Sequence, residues 1–135
     1  MHVTHHWADI GYHFAADCAG NIFECRDIRF KGSGIKYQNT GVISIVLLEN
    51  LTDTGDTMLS FFATKLDSVP EPQKKAVQTL VNVLTKHFHI STLGGHREYA
   101  AKLAAQNDSE SRTCPGNVGM KFVYGLRSNL KIDAP

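Results

Sequence analysis

The chain has 135 residues, 42% of them hydrophobic and 20% charged. That size and balance suit one folded domain with its own core and exclude a disordered or collagen-like polymer. Lys and Arg number 14 against 13 Asp and Glu, a net charge of +1, without the basic surplus of a nucleic-acid binder. The longest apolar run, residues 42–48, is far shorter than the ~18 residues of a membrane-spanning helix.

Residues 10–17 are rich in aromatic and β-prone types and predict a strand. Cys18-Ala19-Gly20-Asn21 supplies a turn, and residues 22–26 a returning strand, so the first element is a β-hairpin. Residues 30–41, with their glycines, predict a loop. The β-branched run 42–48 fits a central strand covered on both faces. Pro70 and Pro72 open the clearest helix, with Ser68 as its expected N-cap. Val77, Leu80, Val81, Leu84 and Phe88 recur at helical spacing on one face. Lys74, Lys75, Gln78, Asn82 and Lys86 form the wet face. Gly94-Gly95 ends that region, residues 100–105 predict a short helical turn, and residues 118–130 a last helix weakened by Gly119 and Gly125. No repeat, low-complexity tract or linker divides the chain. The expectation for residues 1–135 is one α/β domain, a central mixed sheet flanked by helices.

The odd count of three cysteines leaves at least one thiol outside an internal disulfide, and seven histidines are many for this length. His96 follows two glycines, which permit close backbone approach, and Cys114 precedes Pro115-Gly116, which fixes a turn. An imidazole and a thiolate are a donor pair suited to Zn²⁺. Spacing alone favours a surface histidine and a buried thiol acting as a small hydrophobe over a metal-ligand pair.

Four segments in order change that balance. Trp7-Ala8-Asp9-Ile10-Gly11-Tyr12-His13-Phe14 resembles the W-x-D-I/V-G-Y-H-F stretch of zinc-dependent N-acetylmuramoyl-L-alanine amidases and peptidoglycan recognition proteins. Gly20 to Arg26 resembles that family's D-G-x-I/V-Y/V-E-G-R hairpin, Gly94 to Glu98 its G-H-R-D/E element, and Arg112 to Gly116 its C-P-G element. The resemblance implies an amidase-like fold and a peptidoglycan or muropeptide substrate. The bond cleaved would be the amide between the lactyl group of N-acetylmuramic acid and L-alanine. It implies a Zn²⁺ cofactor with His96 and Cys114 as two of three ligands. Tyr12 would act at the developing oxyanion. Arg112 would stand where the family has Lys or Thr, as a permanent cation near the scissile carbonyl. Glu24 matches the hairpin glutamate, an acid near the site or an ordinary strand residue.

The sequence departs from that pattern at three places, of which the longer insertion between His96 and Cys114 is harmless. The family's third ligand lies on a first strand, in an I/V-H-H-T/S motif, and that strand has no counterpart here before Trp7. His5 and His6 match the turn after the family's first helix, and His2 a position within it. Gly34 takes the position of a loop histidine that would donate to the transition state. These departures keep open a non-catalytic peptidoglycan-binding module of the same fold. The implied substrate lies outside the cytoplasmic membrane, while residues 1–6 show neither the charged nor the apolar region of a secretory signal peptide. His13 is expected in the core or behind the site, His87 and His89 at the wet end of the long helix. Arg97 is expected to make a structural ion pair or to bind the carboxylate of the stem peptide.

Overall fold

The computed structural model describes residues 9–35, 38–51, 68–104 and 113–135. Six elements follow one another: β1 (Phe14–Ala16), β2 (Ile22–Glu24), β3 (Ile45–Leu47), α1 (Glu71–His87), α2 (His96–Ala104) and α3 (Gly116–Leu130). The fold is α/β, with a mixed sheet of three strands among the described residues, in the order β2-β1-β3. The hairpin pairs β1 with β2 antiparallel, Ala15 opposite Phe23, and β1 pairs with β3 in parallel, Ala15 opposite Val46.

The hairpin turn closes where the sequence places it. Asn21 donates its backbone N–H and its side-chain amide to the Asp17 carboxylate, at 2.8 Å each. Those bonds hold the Asp17 carboxyl below its usual range. One strand expectation needs correction: of the apolar run 42–48, Ile45–Leu47 forms the strand, and it is half-buried rather than covered on both faces. Among the described residues β1 lies between β2 and β3. Ala16 is completely buried against Val77 and Val81 of α1 and Leu126 of α3.

Helix α1 follows its predicted stripe in part: Val77, Val81 and Leu84 are buried, Leu80 is half-buried, and Phe88 is the C-cap and exposed. Its N-cap is Pro70 rather than Ser68, and no side chain caps it. Gln73 instead is wholly buried, and its Nε2 donates to the Ala16 carbonyl at 2.8 Å, fastening the first turn of α1 to the end of β1. Helix α2 begins at His96, earlier than the turn predicted at residues 100–105, and α3 begins at Gly116, two residues before the predicted start. A second cluster, Leu51, Val69 and Val118, packs beside the first through Leu47 and Phe122.

His13 is 1% exposed, as a core histidine should be. The Ser44 backbone N–H donates to Nδ1 at 3.0 Å, so the ring proton sits on Nε2, which donates to the Phe30 carbonyl at 2.9 Å. One imidazole thereby holds both ends of the loop between the hairpin and β3. Arg26 completes the fastening: its guanidinium donates to the carbonyls of Asp9, Ile10 and Lys31 at 2.7–3.0 Å. His13→Phe keeps a ring but leaves two polar backbone groups unpaired, each at about 1–3 kcal/mol. The expected loss is about 2–4 kcal/mol in a urea melt. A midpoint equal to that of the parent chain would contradict this role.

Candidate active site

Two glycine positions bring the chemistry together. At Gly95 an added Cβ would collide with the Met120 sulfur and lie 2.8 Å from Pro115 Cδ, so only hydrogen fits where α2 meets the start of α3. At Gly116 the backbone takes φ +85°, a left-handed conformation that suits glycine, and its N–H closes a turn onto the Thr113 carbonyl at 2.7 Å. The first places His96 at the opening of α2; the second turns the chain immediately after Cys114, whose peptide to Pro115 is cis.

The two segments are joined directly. The Arg97 backbone N–H donates to the Cys114 carbonyl at 2.9 Å. The Arg97 guanidinium donates through Nη1 to Asn117 Oδ1 at 2.8 Å and through Nη2 to the Thr113 carbonyl. On the other side of His96, Glu98 Oε2 accepts the Gly95 N–H at 2.9 Å, the carboxylate-to-N-cap half of a capping box. Arg127 of α3 bridges to Glu98 at 3.0 Å and donates to the Leu93 carbonyl at 3.0 Å. That ion pair is largely withdrawn from solvent, with side-chain exposures of 15% and 23%.

Tyr12 approaches from the segment fastened by His13 and Arg26. Partial burial raises its phenol above the ordinary tyrosine value, and the nearby Cys114 thiolate raises it further. Tyr12 and Cys114 therefore lie within electrostatic reach of one another, and the phenol remains a hydrogen-bond donor throughout the neutral range. Gly34 borders the same place: a Cβ there would lie 3.4 Å from Tyr12 Cε1 and 2.9 Å from Ser44 Oγ.

The structure thus joins the helix start that carries His96 to the turn that carries Cys114, and the charge of Cys114 acts on the Tyr12 phenol. Glu24 lies exposed on β2, opposite Phe14, and no bond among the described residues links it to the other three. Arg112, Trp7, His2, His5 and His6 lie outside the described residues. Among the described residues no group of three His, Cys, Asp or Glu side chains converges as a metal site. Cys18 and Cys25 are not bonded to each other; Cys18 lies exposed in the turn and Cys25 is half-buried after β2. His87, the last residue of α1, and His89 are exposed.

The roles of Glu98, Arg127 and Asn117 escaped the sequence reading. Glu98 had a usable signal, an acid three residues after Gly95, the spacing of a capping box. Arg127 and Asn117 had none, because their partners lie 29 and 20 residues away. No helix among the described residues is long and apolar enough to cross a membrane.

No family model matches this chain, and no curated protein matches it. Solved structures do. The N-acetylmuramoyl-L-alanine amidase LysC from Clostridium intestinale URNW superimposes with a TM-score of 0.72 at 22% identity, over 98% of this chain and 72% of that one. The endolysin N-acetylmuramoyl-L-alanine amidase LysCS from the same organism gives 0.72 and 22%, over 98% of this chain and 70% of that one. This chain therefore has the fold of those amidases.

A tyrosinate absorbance titration of the metal-free protein checks the Tyr12 environment. The signal lost in Tyr12→Phe should ionise above the ordinary value of ~10. In Cys114→Ala that ionisation should move down part of the way and stay elevated, since burial is the larger cause. No movement would place the two side chains out of reach of each other.

Proposed function

We propose that this protein is a peptidoglycan hydrolase, an N-acetylmuramoyl-L-alanine amidase that uses Zn²⁺. The observation that carries the reading is the meeting of a histidine-bearing helix start, a cysteine-bearing turn and a protonated phenol in an amidase fold. The donor chemistry fits zinc as far as it goes. An imidazole and a thiolate are common zinc ligands, His96 is half-buried, and Cys114 is exposed enough to be reached. Catalytic zinc takes three protein donors and keeps a fourth position open, so one further donor must join His96 and Cys114. When bound, zinc would supply a Lewis acid and a water acidified toward a pKa of ~7.

The chain's own residues would do the rest. Tyr12, kept protonated by burial, would donate to the lactyl carbonyl oxygen as negative charge builds on it. A donor of this kind contributes about 2.7–4 kcal/mol to lowering the barrier. Hydrolysis breaks the bond between the lactyl carbonyl carbon and the L-alanine nitrogen. The water oxygen ends on the new carboxylate, and the amine leaves with the proton. Arg112, by its position in sequence, would add a fixed positive charge near that carbonyl, and Glu24 would serve only as a more distant acid. The substrate placed by this reading lies outside the cytoplasmic membrane.

A second reading has its own support. Gly34 stands beside Tyr12 where the resembled family has a histidine, and no group of three metal donors converges among the described residues. Both favour a module that holds peptidoglycan without cleaving it.

Zinc stoichiometry and amine release from a muropeptide separate the two readings. The amidase should hold one zinc per chain and release the stem peptide, and Cys114→Ala should abolish both. Turnover unchanged in Cys114→Ala would overturn the assignment. Muropeptide binding without zinc or turnover would establish the binding module. Tyr12→Phe should lower kcat by about 10²–10³-fold with KM little altered; a change confined to KM would remove Tyr12 from the reaction.

A further inference from the structure

The geometry points to Arg97 as a positioning residue that sets the spacing between His96 and Cys114. Beyond the ligand carboxylate or structural ion pair that the resemblance offered it, Arg97 bonds to the cysteine turn. Its backbone N–H reaches the Cys114 carbonyl at 2.9 Å. Its guanidinium reaches the carbonyl of Thr113, just before the cysteine, and Asn117 Oδ1, at 2.8 Å, just after it. The fork therefore straddles Cys114, and the peptide that carries these bonds begins at His96. A rotation of the cysteine turn relative to α2 must break at least one of them.

The far side of His96 is held separately. Glu98 accepts the Gly95 N–H and is itself gripped by Arg127 from α3. His96 is thus fixed to α3 through Glu98 and to the cysteine turn through Arg97. The first fastening ties the start of the helix to the body of α3, and the second ties it directly to the turn that carries Cys114. Arginine suits the task because its planar fork meets two acceptors at once, which the point charge of lysine does not. Residues that orient metal ligands from behind typically contribute a factor of 10–100 in metal affinity.

The functional meaning of this brace rests on the proposed zinc site, so its test has one arm with metal and one without. In a Cys18→Ser, Cys25→Ser background, Co²⁺ alone is titrated and the thiolate-to-cobalt absorption followed. Arg97→Met should weaken Co²⁺ binding by about 10–100-fold, with near-ultraviolet circular dichroism showing the fold retained. Arg97→Lys should recover little of that loss. Affinity unchanged in both variants overturns the proposal.

In the metal-free arm, His96→Cys is introduced and its disulfide with Cys114 is titrated against glutathione. The effective concentration of the two thiols should fall at least tenfold when Arg97→Met is added. Equal values with and without Arg97 overturn the brace, as does failure of the thiols to pair with Arg97 present. Should the parent chain bind no Co²⁺ while the disulfide titration depends on Arg97, the zinc reading fails and the brace stands.

Discussion

The bond from the Arg97 N–H to the Cys114 carbonyl is the contact on which the candidate site depends. It is the point where the start of α2 meets the turn into α3, two segments separated by residues outside the described structure. Neither segment has a sheet ladder to fix it, so their relative position is set by a few directed contacts. The guanidinium of Arg97, the Glu98–Arg127 pair and the crowding around Gly95 all act on this junction. Withdrawal of these polar groups from water makes each bond costlier to break than it would be on an open surface.

Tyr12 reaches the junction by an independent route. It sits just before β1, on a segment held from one side by Arg26 and from the other by the buried ring of His13. Both side chains bond to backbone groups, so the support depends on chain path rather than on neighbouring residue identity. The phenol is thus carried by the segment leading into β1, and His96 and Cys114 by the start of α2 and the turn before α3. Catalytic sites built on rigid elements from different parts of a chain are held more closely than sites on a single loop.

What the sequence made legible follows from the range of the forces involved. The hairpin and α1 were readable because turn chemistry and the stripe of Val77, Val81 and Leu84 are local signals. The start of α2 was not, because two glycines and a run of small and polar residues mask a helix that is held by Glu98 and Arg127. The cover of the 42–48 run was overestimated: Ile45–Leu47 is half-buried, and the helices pack closest over the small side chain of Ala16. At the site, His96, Cys114 and Tyr12 were named from motif resemblance, and the segments that carry His96 and Cys114 are bonded to each other through the Arg97 N–H. Glu24, carried over in the same way, stands on an exposed strand. The brace of Arg97 and Asn117 had no local trace, since it exists only once the chain has folded.

The fit of Gly95 against Met120 and Pro115 also constrains how such a sequence can drift. A single replacement at position 95 meets occupied space at once, whereas a smaller residue at position 120 only opens a void. Shrinking position 120 clears only the sulfur, since Pro115 Cδ lies 2.8 Å from the same Cβ. Homologous chains should accordingly carry bulk at position 95 only where both the methionine and the proline have given way.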